Sequence, residues 1–265
     1  MKLIIQANKN FAQCLHHLMK SIGAVLLISL GASIPLITQA QETPPFVIND
    51  KEDFGNLVRD YLLENPKVII EVIEILDQQA AQNQAQEEAA IIELYSDQLF
   101  NDKDSWAGGN LNGPITIVEY VDYRCGFCRR AHPVMKSLLQ DRDDIKLIIK
   151  EFPILSEESI VSSRLAIAVL QLAGPETYKN VHDQLITLDS PITEEFVNGI
   201  AMQIEIPQGE LENKMFDESV DSVIYSNQFI AADLGINATP TFIINNKIYR
   251  GYLEKDELLA IIDEG

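Results

Sequence analysis

The feature that most constrains the fold is a strand-like run that leads directly into two cysteines. Ile115-Thr116-Ile117-Val118-Glu119-Tyr120-Val121 is rich in β-branched and aromatic residues, which predicts a buried strand. Cys125-Gly126-Phe127-Cys128 follows and begins a stretch, residues 126–140, that is predicted to be helical. Cys125 is therefore expected at the N-terminus of a helix, with Cys128 one turn inside it.

That position is suited to redox chemistry. Unpaired backbone N–H groups and the positive end of the helix dipole stabilise a thiolate at a helix N-terminus. We therefore predict that Cys125 attacks a substrate disulfide and that Cys128 resolves the mixed disulfide. Four further side chains flank the pair and are expected to lower the thiol pKa: Arg124, Arg129, Arg130 and His132.

The same cysteine spacing also occurs in half of a zinc site. Such a site needs two more ligands, and the remaining cysteine, Cys14, lies in an N-terminal segment that is predicted to be removed. His132, His182 and one carboxylate could complete it only if the fold happened to bring them together. The prediction is therefore a redox dithiol, with no metal and no cofactor.

Two charged residues in predicted strands are candidates to serve the resolving thiol. Glu119 lies in the middle of the first strand, where a buried carboxylate is costly unless it has a function. Lys150 lies in the second predicted strand, Ile145 to Phe152, and could be its partner. The alternatives are that strand alternation turns Glu119 towards solvent, and that Lys150 reaches water from a strand end.

Residues 1–40 have the pattern of an export signal. They contain three lysines and no acidic residue, then an uncharged apolar run at 22–38, and small residues before a cleavage point after Ala40. An uncleaved membrane anchor is the alternative, but the run is short for a span of ~20 residues and contains Pro35. We therefore predict a periplasmic protein.

Charge and cysteine count exclude two classes of protein. The formal net charge is −20, and loss of the signal lysines makes it more negative, so nucleic acid would be repelled. Once Cys14 is removed, both remaining cysteines belong to one motif, so no disulfide framework holds the fold together. A hydrophobic core must therefore stabilise it.

Residues 41–101 differ in texture from the rest of the chain. A short helix is predicted at Val58 to Leu63, and a second at Pro66 to Leu94, with Asn65 as its cap and Pro66 at its first position. Such an apolar helix is not stable alone in solvent, so it packs either on the catalytic domain or on copies of itself. The apolar seam of the second helix follows coiled-coil spacing and then ends: Ile69, Ile73, Leu76 and Ala80.

The remaining pattern predicts a mixed sheet with helices on both faces. A hairpin is expected where Asn245-Asn246 separates Thr241–Ile244 from Lys247–Arg250, before a last helix from Lys255 to Ile262. Four helical stretches come before the hairpin, at residues 158–173, 176–187, 192–204 and 217–234.

With these elements in order, the chain resembles the thioredoxin superfamily, and within it the DsbA-like group with an inserted helical domain. The resemblance implies an α/β thioredoxin fold at residues 102–265, with a helical insertion at about 157–234 and an N-terminal helical stalk at 41–101. The residues that carry it are Cys125-Gly126-Phe127-Cys128, Lys150-Glu151-Phe152-Pro153 and Ala238-Thr239-Pro240-Thr241-Phe242.

The resemblance also implies roles for particular residues. A cis peptide bond between Thr239 and Pro240 is expected beside the cysteines, where Thr239 would present its backbone to an extended substrate. Glu119 falls at the position of the family's buried acid, and Lys150 at that of its frequent lysine partner. Gly126 and Phe127 would also contact substrate. They replace the Pro-His of strongly oxidising members, so a less oxidising couple is expected.

The run from Leu57 to Pro66, followed by a long helix, resembles the stalk of ScsC-like proteins, a group that includes oligomers. This similarity implies a disulfide isomerase or reductase that works as a homo-oligomer, with a trimer favoured. Its partners would be unfolded or misfolded secreted proteins and a membrane redox protein. Two alternatives stay open: a monomeric DsbA-like oxidase, and a chaperone that binds Cu(I) through the same dithiol.

Overall fold

A computed structural model describes residues 51–207 and 209–264, which form nine helices and five strands. The predicted export signal lies outside the described residues. By compactness, the chain divides into two units between Tyr61 and Leu62. In the part of the chain that the structure describes, no helix combines the length and the apolar character needed to cross a membrane.

The five strands form one mixed sheet in the order β1-β3-β2-β4-β5. The central pair, β2 and β3, is parallel, whereas the other neighbouring strands are antiparallel. Sequence patterns predict every strand except β1, whose glycines lack β-branched side chains. The strands are β1 (Trp106–Gly109), β2 (Ile115–Val121), β3 (Ile145–Glu151), β4 (Thr241–Ile244) and β5 (Lys247–Arg250).

Helices cover both faces of this sheet. Between β2 and β3 lies α4 (Gly126–Asp141), and α9 (Lys255–Asp263) follows β5. The segment between β3 and β4 is a helical block of four elements: α5 (Glu157–Thr187), α6 (Glu194–Gln203), α7 (Glu210–Met215) and α8 (Glu218–Asp233). Before the sheet lie α1 (Lys51–Glu64), α2 (Lys67–Leu94) and α3 (Ser96–Phe100).

Glycine and asparagine make the breaks that the sequence predicts. Gly174 has a φ of 79°, a conformation that favours glycine, and it kinks α5 where two separate helices were expected. In the hairpin, Asn245 and Asn246 have φ values of 51° and 58°, as a tight primed turn requires. The short helices α3 and α7 escape prediction because they are too short to show a helical period.

The start of α2 differs from the prediction. Lys67 is the first helical residue, so Pro66 precedes the helix instead of occupying its first turn. The carbonyl of Asn65 accepts a hydrogen bond from the backbone N–H of Val68 at 3.1 Å. The predicted cap residue, Asn65, therefore contributes its main-chain carbonyl to this turn, and the helix begins one residue later than expected.

The two halves of α2 have different environments. Near its C-terminus, Ile92 is completely buried with Leu99 of α3, and Glu88 forms an ion pair with Arg250 of β5 at 3.0 Å. This half therefore belongs to the core of the sheet unit. The N-terminal half is different, because its apolar side chains are about half exposed: Ile69, Ile70, Val72, Ile73, Ile75 and Leu76. The assignment of residues 41–101 to a separate stalk stays a prediction.

Strand alternation separates the core into two layers. Ile117 and Val121 of β2 point to the face that α4 and α5 cover, whereas Val118 and Tyr120 point to the face of α2, α3 and α8. Adjacent residues of a strand point in opposite directions. Glu119 therefore lies on the same face as the cysteines.

A pair of substitutions tests whether the C-terminal half of α2 is packed in the core while its N-terminal half is not. Ile92→Ala should lower the free energy of unfolding by about 2–5 kcal/mol, because it leaves a cavity in a packed core. Ile73→Ala should change it by less than about 0.5 kcal/mol, because that side chain is half exposed. Urea unfolding at low protein concentration, monitored by the fluorescence of the single tryptophan, Trp106, gives the free energy of unfolding of both variants. Equal losses in the two variants would contradict the packing described here.

Candidate active site

The cysteines lie where β2 meets α4. Cys125 is the residue before the first turn of α4, with extended backbone angles, and its carbonyl accepts the N–H of Arg129 at 3.1 Å. Both cysteines are free thiols: the Cys125 side chain is at the surface edge with 7% exposure, and Cys128 is completely buried. The predicted placement of the motif at a helix N-terminus is confirmed.

A buried aspartate that the sequence reading missed holds the loop before the motif. The Asp122 carboxylate accepts backbone N–H groups from Arg124 at 2.8 Å, from Ile154 at 2.9 Å and from Leu155 at 3.1 Å. It thereby joins the end of β2 to the segment after β3. Its position directly after a buried strand, and next to a catalytic motif, is a signal that could have identified it.

The Thr239–Pro240 peptide bond is cis, as the resemblance implies. When Cys125 is protonated, its thiol donates a hydrogen bond to the carbonyl oxygen of Thr239 at 3.1 Å. The next carbonyl, that of Pro240, is occupied by the N–H of Gly251 at 2.8 Å. The loop before β4 therefore lies directly against Cys125.

The two thiols have opposite electrostatic environments. A hydrogen bond from Cys128 to the Cys125 sulfur, together with the N–H groups at the start of α4, lowers the pKa of Cys125 to about 5 despite partial burial. Burial raises the pKa of Cys128 far above its ordinary value, and the charges of Cys125 and Glu119 raise it further. One thiol is thus ionised at neutral pH while the other stays protonated.

The cations beside the motif contribute less to this than expected, because they have other partners. Arg124 donates to the carbonyl oxygens of Leu188 and Ser190, at 3.2 and 3.0 Å. Arg129 donates to the carbonyl oxygen of Ile186 at 3.1 Å. These two side chains attach the end of α5 to the active-site helix, and hydrogen bonds give the largest lowering of the thiol pKa.

Arg130 and His132 also have partners other than the thiol, and burial lowers the pKa of His132. The Arg130 guanidinium lies over the rings of Phe127 and Tyr252, at 5.6 and 4.5 Å from their centroids. His132 Nε2 is 3.1 Å from an oxygen of Asp183. Phe127, inside the motif, is 54% exposed although it contacts Arg130.

Glu119 is buried, with 4% of its surface exposed. Burial raises its pKa to about 8, and its charge in turn raises the pKa of Cys128. The buried alternative for Glu119 is therefore confirmed. A carboxyl whose pKa lies near neutral pH can both accept and release a proton at this site.

The expected pairing of Glu119 with Lys150 is wrong. In the register of β2 and β3, Glu119 lies opposite Ile149 and Lys150 lies opposite Tyr120, so the two charged side chains point to opposite faces. The ammonium of Lys150 is buried on the other face, where it pairs with the carboxylate of Asp102 and donates to the Gln98 carbonyl at 2.6 Å.

In the part of the chain that it describes, the structure does not bring further metal ligands to the two cysteines to form the zinc site that the sequence left as an alternative. Among the described residues, the group that could hold a metal ion is His132, His182 and Asp183, with one ligand atom from each within 4.8 Å of the others. Neither cysteine belongs to it. Lys179 pairs with the Asp183 oxygen that also lies near His132, so a metal ion there would compete with an ammonium.

Comparison with known proteins identifies the family to which this architecture belongs. A family model described as "Thioredoxin" matches residues 101–264, the sheet and every helix around the dithiol. The chain belongs to the thioredoxin family. A second model, "Copper resistance protein ScsC N-terminal domain", matches residues 50–83, which contain α1 and the first part of α2.

Solved structures support the same assignment. A thioredoxin-like oxidoreductase from Silicibacter pomeroyi is 31% identical, with a TM-score of 0.58; the match covers 63% of this chain and 95% of that one. The thiol-disulfide exchange protein alpha-DsbA2 from Wolbachia pipientis is 27% identical, with a TM-score of 0.62, over 69% and 97% of the two chains. Both similarities confirm the predicted thioredoxin fold with its helical insertion.

Two further relatives differ in coverage. A linker-deletion mutant of ScsC from Proteus mirabilis has the same fold, with 22% identity and a TM-score of 0.61, over 84% of this chain and 97% of that one. A curated relative, the Na(+)/H(+) antiporter NhaA 1 of Salinispora arenicola, is 24% identical over 58% of this chain. The chain spans only 24% of the antiporter's length.

The hydrogen bond between the two thiols generates a pH prediction. The folded-state pKa of Cys125 is depressed to about 5, so its thiolate should form as the pH rises through that value. Cys128→Ala removes the donor and should raise this pKa, whereas Cys128→Ser keeps a hydroxyl donor and should raise it less. Thiolate absorbance against pH measures all three proteins. An unchanged midpoint in Cys128→Ala would contradict the assignment.

Proposed function

We propose that this protein is a thiol–disulfide oxidoreductase that acts on disulfides of other proteins. The observation that carries the proposal is the pair of unequal thiols, an ionised Cys125 at the surface edge and a protonated Cys128 beneath it. Thiolates are the nucleophiles of disulfide exchange, and a buried second thiol is protected from competing reactions.

The geometry supports a two-step exchange. The Cys125 thiolate attacks one sulfur of a substrate disulfide, which forms a mixed disulfide and releases the other substrate sulfur as a thiolate. Cys128 then gives its proton to Glu119 and attacks the Cys125 sulfur. The products are the Cys125–Cys128 disulfide and a fully reduced substrate, so two electrons pass from the dithiol to the substrate. In isomerisation, a substrate thiol attacks the mixed disulfide instead.

Substrate would bind beside Cys125, where Gly126 and Phe127 are exposed and Thr239 and Pro240 are buried. Thr239 and Pro240 form one wall, and Gly126 and Phe127 form the other. An added Cβ at Gly126 would meet no atom within 4 Å, so an extended chain can approach the sulfur there. A half-exposed aromatic ring suits unfolded polypeptides, which present apolar side chains.

We further infer that several copies act together through the N-terminal helices. The apolar residues of α2 between Ile69 and Leu76 are about half exposed, which is unusual for a stable helix in water. The ScsC N-terminal match covers the same residues. A trimer would bring several dithiols to one misfolded substrate at a high effective concentration and so favour repeated exchange, as an isomerase requires.

The proposed location is the periplasm, with an export signal that is cleaved after Ala40. A structural neighbour of this chain, at 26% identity, is a periplasmic thioredoxin-like protein from Salmonella enterica. An oxidising compartment supplies protein disulfides as substrates. Secreted proteins with unpaired or wrongly paired cysteines would be the clients, and a membrane redox protein would restore the dithiol.

A second candidate, a disulfide oxidase, is favoured by one observation. A pKa of about 5 makes Cys125 a good leaving group and stabilises the reduced form, which raises the reduction potential. The third candidate, a Cu(I) chaperone, needs both sulfurs as thiolates. Burial of Cys128 opposes its ionisation, so this dithiol is better suited to exchange than to copper binding.

Trapping of the intermediate tests the exchange chemistry. In Cys128→Ser the resolving thiol is gone, so a mixed disulfide should accumulate with a client protein that was reduced and then reoxidised. Cys125→Ser lacks the nucleophile and should trap no mixed disulfide.

Reactivation of a ribonuclease with scrambled disulfides tests isomerisation, and the wild-type protein should reactivate it if it is an isomerase. A redox titration against glutathione separates the candidates, since a strongly oxidising potential with no reactivation supports the oxidase. Absence of any mixed disulfide in Cys128→Ser would refute the exchange proposal.

Light scattering tests the assembly. We expect wild-type protein without residues 1–40 to be an oligomer and Ile73→Lys to be a monomer, because a charge in an apolar helix interface is costly. Gln78→Lys places the same charge on an exposed position of the same helix and should leave the oligomer intact. A monomeric wild-type protein at micromolar concentration would refute the proposed oligomer and would not affect the proposed exchange chemistry.

A further inference from the structure

A cluster of buried titratable groups lies beside the dithiol, and the exchange steps do not yet use it. Glu151, the last residue of β3, is buried, with 3% exposure. One of its oxygens, Oε1, accepts hydrogen bonds from the hydroxyls of Tyr123 at 2.8 Å and Tyr178 at 2.6 Å. The Tyr123 hydroxyl is also 2.9 Å from Nδ1 of His182. Tyr123 thus joins a carboxyl group to an imidazole.

The outer end of this cluster reaches solvent. The rings of His182 and His132 are 5.3 Å apart between centroids, and one nitrogen of each lies within 4.8 Å of the other. His132 Nε2 is 3.1 Å from Asp183, and these two side chains are 17% and 31% exposed. His182 is almost completely buried, so the cluster runs from the core to the surface.

The inner end lies at Glu119. In the register of the parallel strands, Glu119 is opposite Ile149 and Val121 is opposite Glu151, so the two carboxyl groups point to the same face from neighbouring strands. The charge of Glu119 raises the pKa of the Tyr178 hydroxyl as well as that of Cys128. Glu119 is therefore within electrostatic reach of both the resolving thiol and the cluster.

We propose that this cluster is a proton relay that carries the proton of the resolving thiol from Glu119 to solvent. We call it the Glu151 relay, and its members in order are Tyr178, Glu151, Tyr123, His182 and His132. The inference rests on the proposed exchange chemistry, because only the attack by Cys128 requires a buried proton to leave. A completely buried thiol with a buried acceptor has no direct contact with water to take that proton.

Loading comes first: Tyr178 gives its hydroxyl proton to Glu151 and takes the proton of Glu119. The relay then has two states that share one set of heavy-atom positions and differ by one proton. In the loaded state, protonated Glu151 donates to the Tyr123 oxygen, Tyr123 donates to Nδ1 of His182, and His182 carries its proton on Nε2. In the discharged state, Glu151 is ionised and accepts from Tyr123, which accepts from Nδ1–H of His182. Discharge moves the protons of Glu151 and Tyr123 along one hydrogen bond each, and the Nε2 proton leaves His182 for His132, whose nitrogen within 4.8 Å is reached through a bridging water.

The acid strengths of the members suit this transfer. Burial raises the pKa of Glu151 to about 7 and that of Glu119 to about 8, so a proton passes between them near neutral pH at little cost. Burial lowers the pKa of His182 to about 3, so it transmits a proton without holding a charge. The other charged groups that act on the relay are Asp122 at Glu151, and Lys136, Lys179 and Asp183 at the histidines.

Tyr123→Phe tests the relay, because it removes the hydroxyl between Glu151 and His182 and keeps the ring. Reduced protein is mixed with oxidised glutathione and quenched in acid, and the masses give two rates: formation of the mixed disulfide and its resolution. We expect an unchanged rate of formation. Resolution should slow by about tenfold or more at pH values below the pKa of Glu151, and imidazole in the buffer should restore part of the rate.

Tyr120→Phe is the matched control. It makes the same change in another buried tyrosine of the same strand region, but Tyr120 points to the opposite face of the sheet. Both of its rates should equal those of the wild-type protein. If Tyr123→Phe resolves the mixed disulfide at the wild-type rate at every pH, or if both steps slow equally, the relay is overturned and the cluster is only structural.

A second variant covers a failure of Tyr123→Phe to fold. His132→Phe changes the partly exposed end of the relay, and it should slow resolution alone, with recovery in imidazole; unslowed resolution or the absence of recovery would overturn the proposal. The wild-type protein shows whether the exchange proposal or only the relay proposal fails. If it forms no internal disulfide with glutathione, the exchange function fails; if it does and the variants are normal, only the relay fails.

Discussion

The pairing of β2 with β3 on one side and β4 on the other is the constraint on which the site depends. Because β2 and β4 are antiparallel, the end of β2 lies beside the start of β4, with Tyr120 opposite Thr241. The loop that carries Cys125 must therefore meet the loop that carries Thr239, although the two are far apart in sequence. Hydrogen bonds of the sheet, not of the site itself, bring nucleophile and cis-proline loop together.

The same pairing distributes charge between the two faces of the sheet. Glu119 and Glu151 point to the face of the active-site helix, and Lys150 points to the opposite face, where Asp102 neutralises it. The active-site face therefore contains buried carboxyl groups without a buried cation on the strands. Burial then raises their pKa values towards neutrality, which allows them to move protons instead of only holding charge.

Much of the fold was predictable from the sequence. The bounds of β2, the hairpin at Asn245-Asn246 and the break at Gly174 follow from local composition, because β-branched runs, asparagine pairs and glycine have strong backbone preferences. The strand Trp106–Gly109 was not predictable, because it pairs at the edge of the sheet and its glycines show no strand preference. The predicted partner of Lys150 was wrong for a related reason. The pairing depends on strand register, which local sequence does not specify.

What the sequence by itself determined is the chemistry at the dithiol. Two cysteines at the start of a helix, after a buried strand, determine a nucleophilic and a protected thiol, because helix geometry sets both positions. Only the tertiary structure decided which groups tune those thiols. Arginines close in sequence bind carbonyls at the end of α5 and after it, while Tyr123 and Tyr178 come from separate elements to meet at Glu151, with His182 against Tyr123. The physical reason is that hydrogen bonds and burial depend on distances between elements, which packing alone sets.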